Sequence, residues 1–147
     1  MTRREALTVD LFDDQYPVPV ERGNKPGSLD IGAELKHLLS DLIKASPKSR
    51  HQIAARMSEL VGHEITKTQL DTWTAESREG WRFPVAYLPA LEAALETHEL
   101  LAWLADIRGA KLSVGREALE AQLGKLSNMK EELRKQEQAL KKLLGGR

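Results

Sequence analysis

Cysteine is absent from the 147 residues, which excludes disulfides, thiolate metal sites and cysteine nucleophiles. Aromatic residues are scarce at 5%, and no apolar run reaches the roughly 18 to 20 residues that a membrane helix requires. The opening "MTRREALTVDLFDD" lacks the apolar core of a signal peptide, so the chain is expected in the cytoplasm. Four histidines, His37, His51, His63 and His98, are scattered without metal-ligand spacing, and they read as surface or cap residues. No metal and no cofactor is expected.

Net charge is also lacking, since 22 Lys/Arg balance 22 Asp/Glu, but the zero conceals a polarity along the chain. Residues 1–43 hold 5 bases against 8 acids and 83–107 hold no base against 4 acids, whereas 44–82 hold 7 bases against 5 acids and 108–147 hold 10 against 5. Positive charge concentrated in two places makes nucleic acid a plausible partner, and a solvated face is the plainer explanation.

Composition otherwise fits one globular domain, with 41% hydrophobic and 30% charged residues. The first stretch, 1–29, has paired prolines, the cluster "GNKPG" and no periodicity, and reads as an extended or disordered arm. Within it Leu7, Val9, Leu11 and Phe12 could form a short strand or docking segment. Residues 30–109 read as an all-α helical domain, and 110–147 as a long charged helix.

The domain's first helix is expected after Asp30 as cap, with Ile31, Leu35, Leu38, Leu39, Leu42 and Ile43 on one stripe, ending near Ala45. In "SRHQIAARMSELVGHEITKTQLDTWTAES" two helix starts then follow in close succession. Ser49 with Gln52 reads as a capping box, Ile53, Met57, Leu60 and Val61 repeat at helical spacing, and Gly62 ends the helix. Thr66 with Gln69 repeats the box, with Ile65 and Leu70 placed as its hydrophobic staple. A glycine-stopped helix, a short turn and a second capped helix have the form of a helix-turn-helix.

By position the second helix is the recognition helix, presenting Lys67, Thr68, Gln69, Asp71 and Thr72 while Leu70 and Trp73 face inward. Thr and Gln can bond base edges, Gln as a bidentate partner of adenine, and Lys67 with the helix N-terminus can meet phosphate. Lys48, Arg50, Arg56, Arg78 and Arg82 are the candidate contacts to the DNA backbone. Short capped helix pairs also occur as plain structural elements of all-α proteins.

"RHQIAARMSELVGHEITKTQLDTWTAES" with the following "WRFPVAYLPALEAAL" resembles lambda-repressor-like helix-turn-helix domains, and the layout is similar to phage regulatory proteins of the CII type. The resemblance spans roughly residues 31 to 108 and rests on Ile53 and Ala54, on Gly62 in the turn and on the helix capped by Thr66. It departs from the compact motif in one respect: Ala54 lies eight residues before Gly62 rather than four, which lengthens the first helix or loosens the turn. The resemblance implies a sequence-specific transcription regulator of phage or prophage origin, acting as an oligomer in a bacterial host cell.

Past the motif, Trp81 and Phe83 beside Arg82 suit loop anchors more than base stacking. A helix is placed at Leu88 to Glu96 with Pro89 in its first turn. Thr97 should cap another, with Leu100, Leu101, Trp103, Leu104 and Ile107 apolar and Gly109 as its stop.

In the tail, Leu112, Leu119, Leu126, Leu133 and Leu140 recur every seven residues, widened by Leu123, Met129, Leu143 and Leu144. The narrow stripe suits a self-associating coiled coil better than packing on the chain's own domain. With the leucines at d, the a positions are Arg116, Leu123, Lys130, Glu137 and Leu144. With the leucines at a, a parallel pair would set Lys125 against Lys130 and Glu132 against Glu137. The d register is the less repulsive for a parallel pair, and antiparallel pairing stays open. A basic zipper is disfavoured, because "LLAWLADIRGAKL" ahead of the leucines is apolar and acidic.

The chain thus reads as a DNA-binding regulator whose coil pairs two subunits over half-sites about one helical turn apart. The alternative is a phage-encoded adaptor or inhibitor that binds a host protein. An enzyme is a distant third: "HLLSD", "GHE" and "THE" set histidine near acids, without a nucleophile, metal set or phosphate loop.

Overall fold

The computed structural model describes residues 19–145, and every element in that span is helical. The order is α1 (Gly32–Ala45), α2 (Arg50–Val61), α3 (Lys67–Thr74), a single 3-10 turn (Val85–Tyr87), α4 (Leu88–Leu95), α5 (Glu99–Ile107) and α6 (Arg116–Gly145). The chain divides into two compact units, Met1–Lys111 and Leu112–Arg147. The apolar positions Leu7, Val9, Leu11 and Phe12 lie outside the described residues. No helix among the described residues is long and apolar enough to cross a membrane.

The first unit is built around α2, which packs on both α4 and α3, while α1 packs on α3. Its centre is a cluster of side chains that are essentially inaccessible: Leu39 of α1, Ile53 and Met57 of α2, Leu70 of α3, Leu91 of α4 and Leu100 of α5. All but Leu91 stand at apolar positions marked in the sequence, and burying a side chain of this size contributes about 1.5–3 kcal/mol. Leu60, placed on the buried stripe by periodicity, is instead 43% exposed. It lies two residues before Gly62, whose φ of +79° ends α2.

Helix ends are fixed by local chemistry. Ser49 and Gln52 form the reciprocal capping box of α2, and Thr66 and Gln69 form that of α3. The stapling pair Ile65 and Leu70 is buried. At two starts the cap position falls one residue later than the expected Asp30 and Thr97, and its own side chain makes no cap bond. Asp30 accepts from the Gly32 amide while Ile31 holds the cap position of α1. Thr97 accepts from the Glu99 amide while His98 holds that of α5. A second acceptor for α5 comes from α4: the buried Glu92 carboxylate takes the Leu101 amide at 2.8 Å.

The stretch read as a free arm is fastened at its described end. Glu21 forms an isolated antiparallel bridge with Arg108, and the Arg22 amide donates to the Ile107 carbonyl at 2.9 Å. The Arg22 guanidinium also grips the Glu34 carboxylate through two bonds of 2.8 and 2.9 Å. Gly109 permits this approach, because a Cβ there would stand 2.7 Å from the Glu21 nitrogen. Its φ of +66° is likewise one that glycine adopts without strain.

In the second unit α6 runs unbroken through Gly124 over 30 residues. Leu112, counted with the heptad leucines, precedes the helix: the chain passes Gly115 at φ +57° before α6 begins at Arg116. The seam therefore starts at Leu119. Glycine at 115 adopts the left-handed turn that ends one conformation and starts the next.

Candidate nucleic-acid interface

The turn between α2 and α3 is held by a residue that the motif reading passed over. The Ser58 hydroxyl donates to the Ala54 and Ile65 carbonyls and accepts the Ile65 amide at 2.7 Å, so one side chain spans the last turn of α2 and the approach to α3. Serine in the middle of a helix gives little warning of such a role, since its usual bond is to the carbonyl four residues back. With Gly62 left-handed and Thr66 capped, the path from α2 to α3 is fixed at three points.

Below the turn, α3 is seated by Leu70 and Trp73, 1% and 6% exposed. The Trp73 ring meets Phe83 edge-on at 5.3 Å and Tyr87 at 5.6 Å, and Tyr87 in turn contacts His63. Phe83 is thus the loop anchor expected of it, whereas the Trp81 ring is 59% exposed. Short helices of this length do not persist alone, so burial and cap together hold α3. Thr66→Ala should therefore cost about 1 kcal/mol of stability, measured as a shift in the denaturant midpoint. An unchanged midpoint would remove Thr66 from the cap.

The residues expected to read bases are not equally available. Thr68 is exposed, and its hydroxyl bonds none of the described residues. Thr72 turns its hydroxyl back to the Thr68 carbonyl at 2.8 Å. Gln69 is exposed, but its Oε1 accepts the Thr66 amide at 2.8 Å. That bond commits one lone pair of the carbonyl to the cap, so a bidentate contact to adenine would share this oxygen with the capping box. Lys67 and Asp71 are joined at 2.7 Å, and Arg50 reaches the other Asp71 oxygen at 3.0 Å while also donating to Thr74. The hydrogen bond from Lys67, reinforced by both positive charges against partial burial, holds the Asp71 carboxyl below the usual carboxylate range.

The five bases assigned to the DNA backbone divide as well. Lys48 donates to the Ala94 carbonyl at 2.9 Å at the end of α4, and Arg50 is turned into the α2–α3 contact, so both serve the fold. Arg56 lies on the exposed side of α2, paired with Glu59 three residues on. Arg78 and Arg82 are exposed in the loop after α3, with the Arg82 guanidinium beside Gly32.

That loop owes its shape to a residue the sequence reading did not select. Lys36 of α1 is 7% exposed, and its ammonium donates to three backbone carbonyls, Ala75 at 3.2 Å, Arg78 at 2.9 Å and Trp81 at 2.7 Å. Burial pushes this ammonium below its ordinary value and the nearby Arg82 charge adds to that, while the three carbonyls supply the acceptors a buried cation needs. A lysine within the stripe "ELKHLLSDLI" is the one trace of it in the sequence.

The tail residues named for self-association, Leu119, Leu123, Leu126, Met129, Leu133, Leu140 and Leu144, are 59% to 86% exposed. Comparison of the chain with protein-family models, with curated proteins and with solved structures finds no match.

Proposed function

We propose that the chain is a sequence-specific DNA-binding regulator acting as a homo-oligomer, the function implied by its resemblance to phage repressor-type domains. The observation that carries the reading is the α2–α3 pair: two helices with reciprocal capping boxes, joined through a left-handed glycine, with the first turn of α3 exposed at Thr68 and Gln69. In that role the α3 N-terminus would face a major groove, with the amides of its first turn and Arg56, Arg78 and Arg82 toward phosphate. Thr68 would be the principal base contact, with Gln69 reading a base edge from the capping box it helps to close.

Selection of bound duplexes from a random pool tests the reading directly. Enrichment of a repeated half-site is expected, as is affinity for random duplex that falls steeply with salt because bound phosphates release counterions. On the selected duplex Thr68→Ala should weaken binding by about 1–3 kcal/mol with an unchanged melting curve. Equal affinity of variant and parent would remove α3 as the reading helix. Thr68 is the cleaner probe than Gln69, whose truncation would also open the capping box.

A second reading, an adaptor that binds a host protein, is favoured by one observation. Lys48, Arg50 and Lys67 are engaged within the domain, while Trp81 and Val85 are 59% and 77% exposed. An adaptor would show no salt-dependent affinity for DNA.

A further inference from the structure

The unpartnered apolar stripe of α6 covers four heptads on one continuous helix. We infer that its occupant is a second copy of the same helix running in the opposite direction. The inference rests on the proposed self-association and adds the orientation.

The argument is one of charge along the seam. Parallel pairing with the leucines at d sets Lys130 against the partner's Lys130 and Glu137 against the partner's Glu137 in successive a layers. Parallel pairing with the leucines at a sets Lys125 against the partner's Lys130 and Glu132 against the partner's Glu137. Centred antiparallel pairing with the leucines at a brings Lys130 to the partner's Lys130 and Glu132 to the partner's Glu132. All three juxtapose like charges, which opposes association.

Antiparallel pairing with the leucines at d keeps like charges out of the same layer, with Lys130 and the partner's Lys130 in adjacent layers about 4.5 Å apart along the axis. In antiparallel coils each a layer faces a d layer, so Lys130 lies over the partner's Leu133 and Glu137 over the partner's Leu126. Leu123 meets the partner's Leu140, and Leu144 meets the partner's Leu119. The stems of Lys130 and Glu137 can lie along leucine while their charged ends reach water, and Lys130 has the partner's Glu137 about 6 Å along the axis on one side and the partner's Lys130 about 4.5 Å on the other. On the flanks Glu120 faces the partner's Lys141, and this pair occurs twice by symmetry. Within each helix Glu120 already bonds Arg116 at 2.9 Å and Lys141 already pairs with Glu137. Antiparallel pairing brings these two ion pairs together, so that Glu120 and Lys141 join a four-charge cluster with Arg116 and Glu137.

The arrangement sets the two α6 N-termini about 46 Å apart, from 31 residues of offset at 1.5 Å each. Half-sites bridged by such a dimer would not be limited to the ~34 Å of a single duplex turn.

Because the chain has no cysteine, Ala121→Cys and Asn128→Cys each give a single labelling site on the outer face of α6. Pulsed dipolar spectroscopy on the full-length spin-labelled chains, with light scattering for mass, reads orientation and association separately. In an antiparallel dimer the labels at 121 are offset along the axis by about 32 Å and those at 128 by about 10 Å, so the first pair must be markedly further apart. A dimer in which both sites give the same distance overturns the antiparallel assignment and leaves self-association standing. A monomeric mass at tens of micromolar overturns both. In addition, Glu120→Lys should weaken the dimer about tenfold by reversing two facing pairs, and adding Lys141→Glu should restore it. In the parallel d register position 120 faces only Gly115, ahead of the helix, so an unchanged dimer constant in Glu120→Lys would count against the proposal.

Discussion

Lys36→Met should lower the melting temperature of the chain by roughly 10–20 °C, corresponding to about 3 kcal/mol in a domain of this size. Methionine keeps most of the stem in its apolar setting and deletes the ammonium. A buried cation can often be exchanged for an apolar residue without loss, but only when its partners go with it. Here the partners are backbone carbonyls of Ala75, Arg78 and Trp81, which no side-chain substitution removes. They would have to turn toward water, and turning them dismantles the loop that carries Arg78 and Arg82. A melting temperature within about 2 °C of the parent would show that the loop satisfies these carbonyls without the lysine.

Truncation after Lys111 should reduce affinity for the selected duplex by roughly a hundredfold while leaving the helical domain folded. The whole buried cluster, from Leu39 to Leu100, lies before the cut, so helical content and cooperative melting of 1–111 should survive. What is lost is linkage: in the paired protein the second half-site is engaged at an effective concentration near millimolar, and in the truncated one it must be engaged from bulk. Fusing an unrelated dimeric coil to residue 111 should recover much of the loss. Truncated protein that binds as tightly as the parent would mean that DNA recognition does not use pairing through α6.

Local features were legible in the sequence, and distant ones were not. Both capping boxes join residues three apart, and Gly62 acts on its own backbone, so short-range chemistry is enough to place them. The stripes carrying Leu39, Ile53, Met57 and Leu100 follow from helical period alone, and Leu70 from its place in the staple beside Thr66. Lys36 bonds carbonyls 39, 42 and 45 residues away, and Arg50 bonds Asp71 across 21 residues. No spacing rule reaches so far, and each of these residues taken alone reads as a solvated charge. The same limit hid the bonds that Lys48 and Arg50 make within the domain and the position of Leu112 ahead of α6. Residue type made them candidates, and only tertiary neighbours reveal what they hold.

The stitch between Glu21–Arg22 and Ile107–Gly109 brings the two ends of the helical domain side by side. Topologically the domain from α1 to α5 is a ring with one gap, and the gap is closed by hydrogen bonds and an Arg108–Glu21 ion pair instead of a peptide bond. Where the chain starts is then a matter of genetic order more than of architecture. A circularly permuted chain, joined covalently at the stitch and opened between Glu79 and Gly80, would keep every helix, with Lys36 left to hold the Arg78 and Trp81 carbonyls on either side of the cut.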